Sequence, residues 1–424
     1  LTLFSRLALK AAAIGVFYTA TTLNMRPWLP LTTPSFAQEI DAAQTPVQQD
    51  VDALCTLVTE HYVYYETRKS VWEETCRRSR LRAAQKTAQT SAGHLALLEQ
   101  MLDQLWDNHV SLDTHSAVSP RLVPSGSDYW IEFENGEALV KAVRRGSGAA
   151  KAGLQVGDEI ISMNSVPVLA AATGRMRYGR TSVSAARLNW ALNAQAAGYR
   201  GAPRNVSVRR GEETLKLALG KPWPTRPEST VTSTFLSGNT GYIRIEDSLG
   251  DRDTVAAFDA ALEELREADG WIIDLRNTPG GGNTSVAEPI MGRFIRGVKK
   301  YQIAGPRWEG EPVRRVASRG DWRARGRVAV LVGRWTGSMG EGMAIGFDGL
   351  KRGRVYGSQM AQLAGGIESF PLPGSSYSVR FPTYNLMHVK GTDRHEWRPR
   401  YEVVADNGNG PDSALQAALD WVKR

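Results

Sequence analysis

VAVLVGRWTGSMGEGMAIGF, Val328 to Phe347, is the stretch that decides how this chain is built. It opens with an apolar, β-branched run, Val328, Val330 and Val332, that reads as a buried strand. A glycine-bounded turn, Gly333 to Gly337, follows. Beyond it Met343, Phe347 and Leu350 recur at helical spacing. Ser338 therefore stands where a strand hands over to a helix N-terminus. Free backbone N–H groups and the helix dipole favour developing negative charge there, so the position suits a nucleophile. It equally suits an N-cap serine with a purely structural role.

Working outward, WIIDLRNTPGGG (Trp271 to Gly282) reads as a second buried strand running into a glycine-rich turn. Glycines there let backbone amides approach a ligand closely, because no side chain intervenes. GYIRIE (Gly241 to Glu246) is a third strand. Asp253 or Thr254 can cap a helix bearing Val255, Phe258, Leu262 and Leu265. A further helix is expected over Val286 to Phe294. This alternation points to an α/β core over 230–424 with its chemistry at strand ends.

Upstream, apolar residues at Val51, Leu54 and Val58 step at helical spacing, with His61 continuing the series. A second helix carries Trp72 and Cys76. A third carries Leu95, Leu98, Met101, Leu102 and Leu105, and ends in LWDNHVSLDTHS. These form a small helical module over 45–118. The segment 120–220 changes character: WIEF and ALVKAV alternate as strands, and NVSVRR and TLKLAL flank a turn at Gly211. The Pro-rich string KPWPTRPES then links it to the core.

A chain of 424 residues with 42% hydrophobic content and 12 Trp can bury several cores, so two or three domains are expected and global disorder is excluded. Its formal charge is +8, but Arg6, Lys10 and Arg26 lie in a leader without acidic residues. The remaining excess is small and unclustered, which argues against nucleic acid or an anionic membrane as a partner. No zinc-type Cys/His spacing and no phosphate-binding P-loop occur. Residues 1–37 read as an export signal, with AAAIGVFYTATTL as its apolar stretch and SFAQ offering cleavage after Ala37; an uncleaved N-terminal anchor is the alternative. Either way the body would face an oxidising compartment, periplasmic or secreted, in a bacterial host. Cys55 and Cys76 are the two cysteines. A disulfide fits that compartment, and two buried free thiols fit the sequence as well.

The string GSGAAKAGLQVGDEIISMNSVPV, with Gly153-Leu154, then Gly157-Asp158 leading into a strand at Glu159 to Met163, resembles the core of a PDZ domain. Such domains take extended peptide tails by strand addition. The carboxylate-binding loop would lie near Asp128 to Phe133, where SDYWIEF departs from the usual glycine-rich form. DLRNTPGGG followed by TGSMGE resembles the tail-specific, or C-terminal processing, serine peptidases. That resemblance implies a crotonase-like (ClpP-like) ββα core, with Ser338 as nucleophile and an oxyanion hole from the amides of Met339 and of Gly280 or Gly281. One branch of the family uses a lysine about 25 residues downstream of the serine; Arg354 to Arg380 contains no lysine. The tricorn-like branch uses a histidine in a D-x-H string ahead of the PDZ domain, and Asp107-Asn108-His109 matches it. The same resemblance makes Glu396 the orienting carboxylate, Asn108 a hydrogen-bonding neighbour of the histidine, and Glu341 a support for the Ser338 helix.

The expectation is an exported serine endopeptidase acting on peptides or protein tails without metal or cofactor. A ligand-binding protein on the same scaffold, or an esterase or amidase, are its rivals.

Overall fold

The computed structural model describes residues 44–177, 183–222, 228–247, 249–305, 311–403 and 408–424. Residues 44–424 form one compact unit. The expected leader, 1–37, lies outside the described residues, as does part of the Pro-rich link. Among the described residues no helix is long and apolar enough to cross a membrane.

The chain begins with three helices, α1 (Pro46–His61), α2 (Lys69–Ala83) and α3 (Ser91–Leu102). Thr45 and Gln48 form a reciprocal capping box at α1, with Pro46 in its first turn, so the helix start is fixed by local chemistry. Val47, Val51, Leu54 and Val58 bury one face of it. Cys55 and Cys76 form a disulfide between α1 and α2, with their Cα atoms 5.9 Å apart. After α3 the chain passes His109 and forms the short strand β1 (Ser111–Leu112).

Strands β2 (Tyr129–Glu134), β3 (Glu137–Val143) and β4 (Glu159–Met163) follow, with helix α4 (Gly148–Lys151) before β4 and β5 (Val166–Pro167) after it. Helices α5 (Val168–Arg175) and α6 (Ala185–Ala197) precede β6 (Asn205–Arg210) and β7 (Glu213–Ala218). The sheet order is β2-β3-β4-β6-β7, which leaves β2 at an edge with α6 packed on it. These two helices were not read from the sequence; their alanine-rich composition gives little apolar periodicity.

The third part opens with β8 (Val231–Leu236), β9 (Thr240–Glu246), α7 (Asp253–Glu264), β10 (Gly270–Asn277) and α8 (Thr284–Gly292). It continues through β11 (Val298–Ala304), β12 (Val313–Ala317), β13 (Val328–Val332), α9 (Met339–Gly349) and β14 (Arg354–Gly357). The hairpin β15 (Gly366–Pro371) and β16 (Ser378–Tyr384) comes next, then β17 (Leu386–His388), β18 (Tyr401–Glu402) and α10 (Ser413–Val422). The central sheet runs β18-β14-β13-β10-β9-β8. Its strands are parallel except for the edge strand β8.

β13 is buried along its whole length. Val328, Val330 and Val332 pack with α7, α8 and α9, whereas Ala329 and Leu331 face α10. A strand covered on both faces loses the alternation of a half-exposed one and reads as a continuous apolar run. The helical module is tied to the core by β1, which pairs with β16, and by Val379 and Phe381 of β16 inside its apolar cluster. That pairing carries His109 to the end of β13, beside Ser338.

Candidate active site

Because β10 and β13 are adjacent and parallel, their C-terminal ends lie side by side. Ligand chemistry in open α/β sheets gathers at such ends. The turns that follow are bound together: Thr278 bridges Thr336, Gly337 N donates to the Thr278 carbonyl at 3.1 Å, and Thr336 Oγ1 donates to the Leu275 carbonyl at 2.8 Å. Ser338 emerges with φ 48° and ψ −110°, a conformation that side chains rarely adopt and that is maintained only where the surroundings fix it. It occupies the N-cap of α9, and Glu341, three residues on, accepts its amide at 2.9 Å.

His109 Nε2 lies 3.1 Å from Ser338 Oγ, and Nδ1 lies 2.6 Å from the Ala364 carbonyl oxygen. A carbonyl can only accept, so the ring proton sits on Nδ1. Nε2 then presents its lone pair to the serine hydroxyl, as a general base must. Burial, reinforced by the Arg394 guanidinium and opposed by the Ala364 carbonyl, pushes the imidazole down to about 3. The residue is therefore neutral at physiological pH. Asp107 accepts the His109 amide at 2.8 Å and the Tyr62 hydroxyl at 2.9 Å, which fixes the loop.

The Ala364 carbonyl is itself held by two buried residues. Glu341 accepts the amides of Gln362 at 3.0 Å and Leu363 at 3.1 Å. Arg394 donates to the carbonyls of Leu363 at 2.8 Å and Gly365 at 2.7 Å, on either side of Ala364. Burial raises Glu341 to about 7, against the opposing influence of Arg394 and the three amides.

Gly281 approaches the serine most closely. With φ 70°, a Cβ built on it would fall 2.9 Å from Ser338 Cβ and 3.1 Å from Oγ. Among the described residues the amides of Gly281 and Met339 have no hydrogen-bond acceptor, whereas Gly280 N donates to the Asp247 carbonyl at 2.8 Å. Of the two glycines named from the sequence, Gly281 is thus the one with an amide left for an oxyanion. Ser338 and Met339 also line a cavity of about 250 Å³ that reaches Ile367, Tyr384 and Leu386.

The sequence-named residues divide accordingly. Ser338, His109, Glu341, Met339 and Gly281 converge. Asn108 lines a neighbouring cavity of about 430 Å³ and bonds to neither Ser338 nor the His109 ring. Glu396 is exposed and makes no bond to His109, whose Nδ1 is occupied by Ala364; burial at that turn goes to Arg394 instead. Ala364 and Arg394 escaped sequence reasoning. A main-chain carbonyl has no residue signature, and a buried arginine looks like a surface one. Asp393, His395 and Glu396 place ligand atoms within 4.8 Å of one another, the one such group among the described residues, and none of the contacts above involves it.

The PDZ-like part has a different geometry at its edge. Asn193 of α6 accepts the Ile131 amide at 2.9 Å and donates to the Ile131 carbonyl at 2.8 Å. Asn189 accepts the Phe133 amide at 2.8 Å. Asp128, in the expected carboxylate loop, is buried, ion-paired with Arg204, and accepts the Ala149 amide at 2.9 Å.

Residues 239–403 match the model of peptidase family S41, and residues 123–175 that of the PDZ domain. The carboxy-terminal processing protease CtpB of Bacillus subtilis is 29% identical over 180 residues, 41% of this chain and 34% of CtpB. CtpA of the same organism is 29% identical over 154 residues, 36% of this chain and 29% of CtpA. The chain spans about a third of the length of these curated relatives. The photosystem II D1 C-terminal processing protease shares the fold with a TM-score of 0.52 at 18% identity, over 90% of this chain and 98% of that one. Mature CPAF does so with a TM-score of 0.59 at 12% identity, over 89% and 96%.

Proposed function

We propose, from the premise that the core of this chain is a peptidase family S41 region, that it is an exported serine peptidase cleaving protein or peptide tails through Ser338 and His109. His109 Nε2 takes the Ser338 proton as Oγ attacks the scissile carbonyl. The tetrahedral oxyanion is held by the amides of Gly281 and Met339, assisted by the N-terminal field of α9. The imidazolium formed is stabilised by the Ala364 carbonyl at Nδ1 and passes its proton to the leaving amine. Water, activated by the same nitrogen, then releases the acyl group from Ser338. No step draws on Glu396 or Asn108.

The observation that carries this reading is the pair of contacts on one imidazole, 2.6 Å to a carbonyl and 3.1 Å to the serine hydroxyl. It favours an enzyme over a binding protein on the same scaffold, for which such a polarised hydroxyl would serve no purpose. Export is supported by the Cys55–Cys76 disulfide, which belongs to an oxidising compartment. Tail cleavage is supported by the names of the relatives.

Fluorophosphonate labelling with mass spectrometry tests the chemistry. The expected adduct is on Ser338 and is lost in His109→Ala. An adduct elsewhere, or one on Ser338 that is insensitive to His109→Ala, overturns the pairing.

A further inference from the structure

The cavity of about 250 Å³ onto which Ser338 and Met339 open has apolar walls that include Ala304, Ile367 and Leu386. Gln302, on β11, lines it as well and is only 2% exposed. Its side-chain oxygen, Oε1, is buried and, among the described residues, accepts no hydrogen bond. Buried polar atoms are nearly always paired, because an unmet acceptor forfeits the hydration it had in water. One that persists in a cavity beside a nucleophile is placed for a donor that arrives with a ligand.

The position of this oxygen sets the length of the donor group. A Cβ built on Gly342 would fall 3.0 Å from Oε1, so the acceptor lies against α9 one turn beyond Ser338. A helical turn rises about 5.4 Å, a gap for a long side chain rather than for a serine or threonine hydroxyl. Charge narrows the choice further. Among the described residues no carboxylate lines the cavity, whereas Arg394 does, tied to the carbonyls of Leu363 and Gly365. Arg314, the other lining cation, is held by Glu288 at 2.7 Å. A lysine or arginine side chain would find no counter-ion here, and a carboxylate would meet the lone pairs of Oε1. A carboxamide on an apolar stem satisfies the walls and the acceptor together.

We infer that this cavity takes the substrate side chain on the acyl side of the scissile bond, and that Gln302 selects glutamine there. The inference rests on the serine-peptidase reading, in which the cavity receives the side chain flanking the carbonyl that Ser338 attacks. Oε1 of Gln302 accepts the substrate carboxamide N–H. Methionine, of similar length, offers no such donor, and a site that leaves its own buried polar group unpaired rejects the analogue.

Isothermal titration of the full chain carrying Ser338→Ala, with peptides that differ only in a C-terminal glutamine, methionine, glutamate or lysine, tests this without turnover. The glutamine peptide is expected to bind at least tenfold more tightly than the other three. Adding Gln302→Met should bring it level with the methionine peptide. Equal or tighter binding of any of the other three, binding of none of the four, or an advantage that survives Gln302→Met overturns the inference. The ranking is read with Gln302 in place, so it decides the matter even if Gln302→Met fails to fold. Turnover by the unaltered chain is a separate measurement. Its absence with the ranking intact removes the peptidase and leaves the pocket; turnover without the ranking does the reverse.

Discussion

Two sets of backbone amides in this molecule face opposite fates. At the ends of β10 and β13, Gly281 and Met339 keep their N–H groups without acceptors among the described residues, beside a serine. On the edge strand β2, Ile131 and Phe133 have theirs taken by asparagine side chains from α6. Unpaired amides carry a desolvation penalty, so they persist where a ligand is to arrive and are stoppered where none is. An edge strand with exposed amides invites strand addition, whereas Asn189 and Asn193 imitate the pairing a peptide would make. The contrast separates a site built to stay open from a groove held shut.

The sharpest break is removal of the chemistry itself. Ser338→Ala is expected to lower kcat by about 10⁴-fold or more, with the fold retained by circular dichroism. Next comes the open pair: Gly281→Ala puts a methyl group against Ser338 and strains a φ of 70°, so kcat should fall by about 10²–10³-fold. A variant of near-normal kcat would place the oxyanion elsewhere.

Arg394→Met should act at a distance. It strips the donors from Leu363 and Gly365, frees the Ala364 carbonyl to drift, and costs about 2–4 kcal/mol in urea unfolding. A fall of about 10–100-fold in kcat at unchanged KM would mark it as a positioning residue. The closed edge is broken by Asn189→Ala with Asn193→Ala, which exposes three backbone groups. Stability should drop by about 2 kcal/mol, and an apolar tail peptide should gain measurable affinity for the edge. Equal peptide affinity before and after the change would mean that the asparagines do not guard it.

The smallest expected effect is a flat line. His109 binds protons far more weakly than a free imidazole, with about 3 replacing about 6.5. Its neutral form therefore contributes full stability above about 6.5, and that contribution declines as pH falls toward 3. kcat/KM should show no inflection from His109 between about pH 6 and 7. An inflection there that survives Glu341→Gln would return the histidine to ordinary behaviour.

How far the sequence speaks can be judged from particular residues. Val328 to Val332 declared a buried strand, and the junction after it placed Ser338. The string Asp107-Asn108-His109 was legible only through its resemblance to a family D-x-H string, and the structure adds what Asp107 does there, which is to hold the His109 amide. What completes the site is not local. The partner of Nδ1 is a main-chain oxygen, and its supports, Glu341 and Arg394, reach it across 21 and 29 or more residues of chain. The choice between Gly280 and Gly281 turned on the direction of one peptide plane, which composition does not encode. Glu396 was favoured for being acidic in the right stretch, yet Arg394 carries the buried contacts there.

One feature of the architecture governs when this chain can act. β1, next to His109, has its partner strand in β16, more than 250 residues later. During synthesis the base emerges early and waits, with no serine, no Ala364 carbonyl and no β16 to dock against. Only after Arg394 has left the ribosome can every part of the site assemble. The proposed Ser338–His109 pair is thus withheld from the growing chain until β16 and Arg394 have been made, a delay written into the order of its strands.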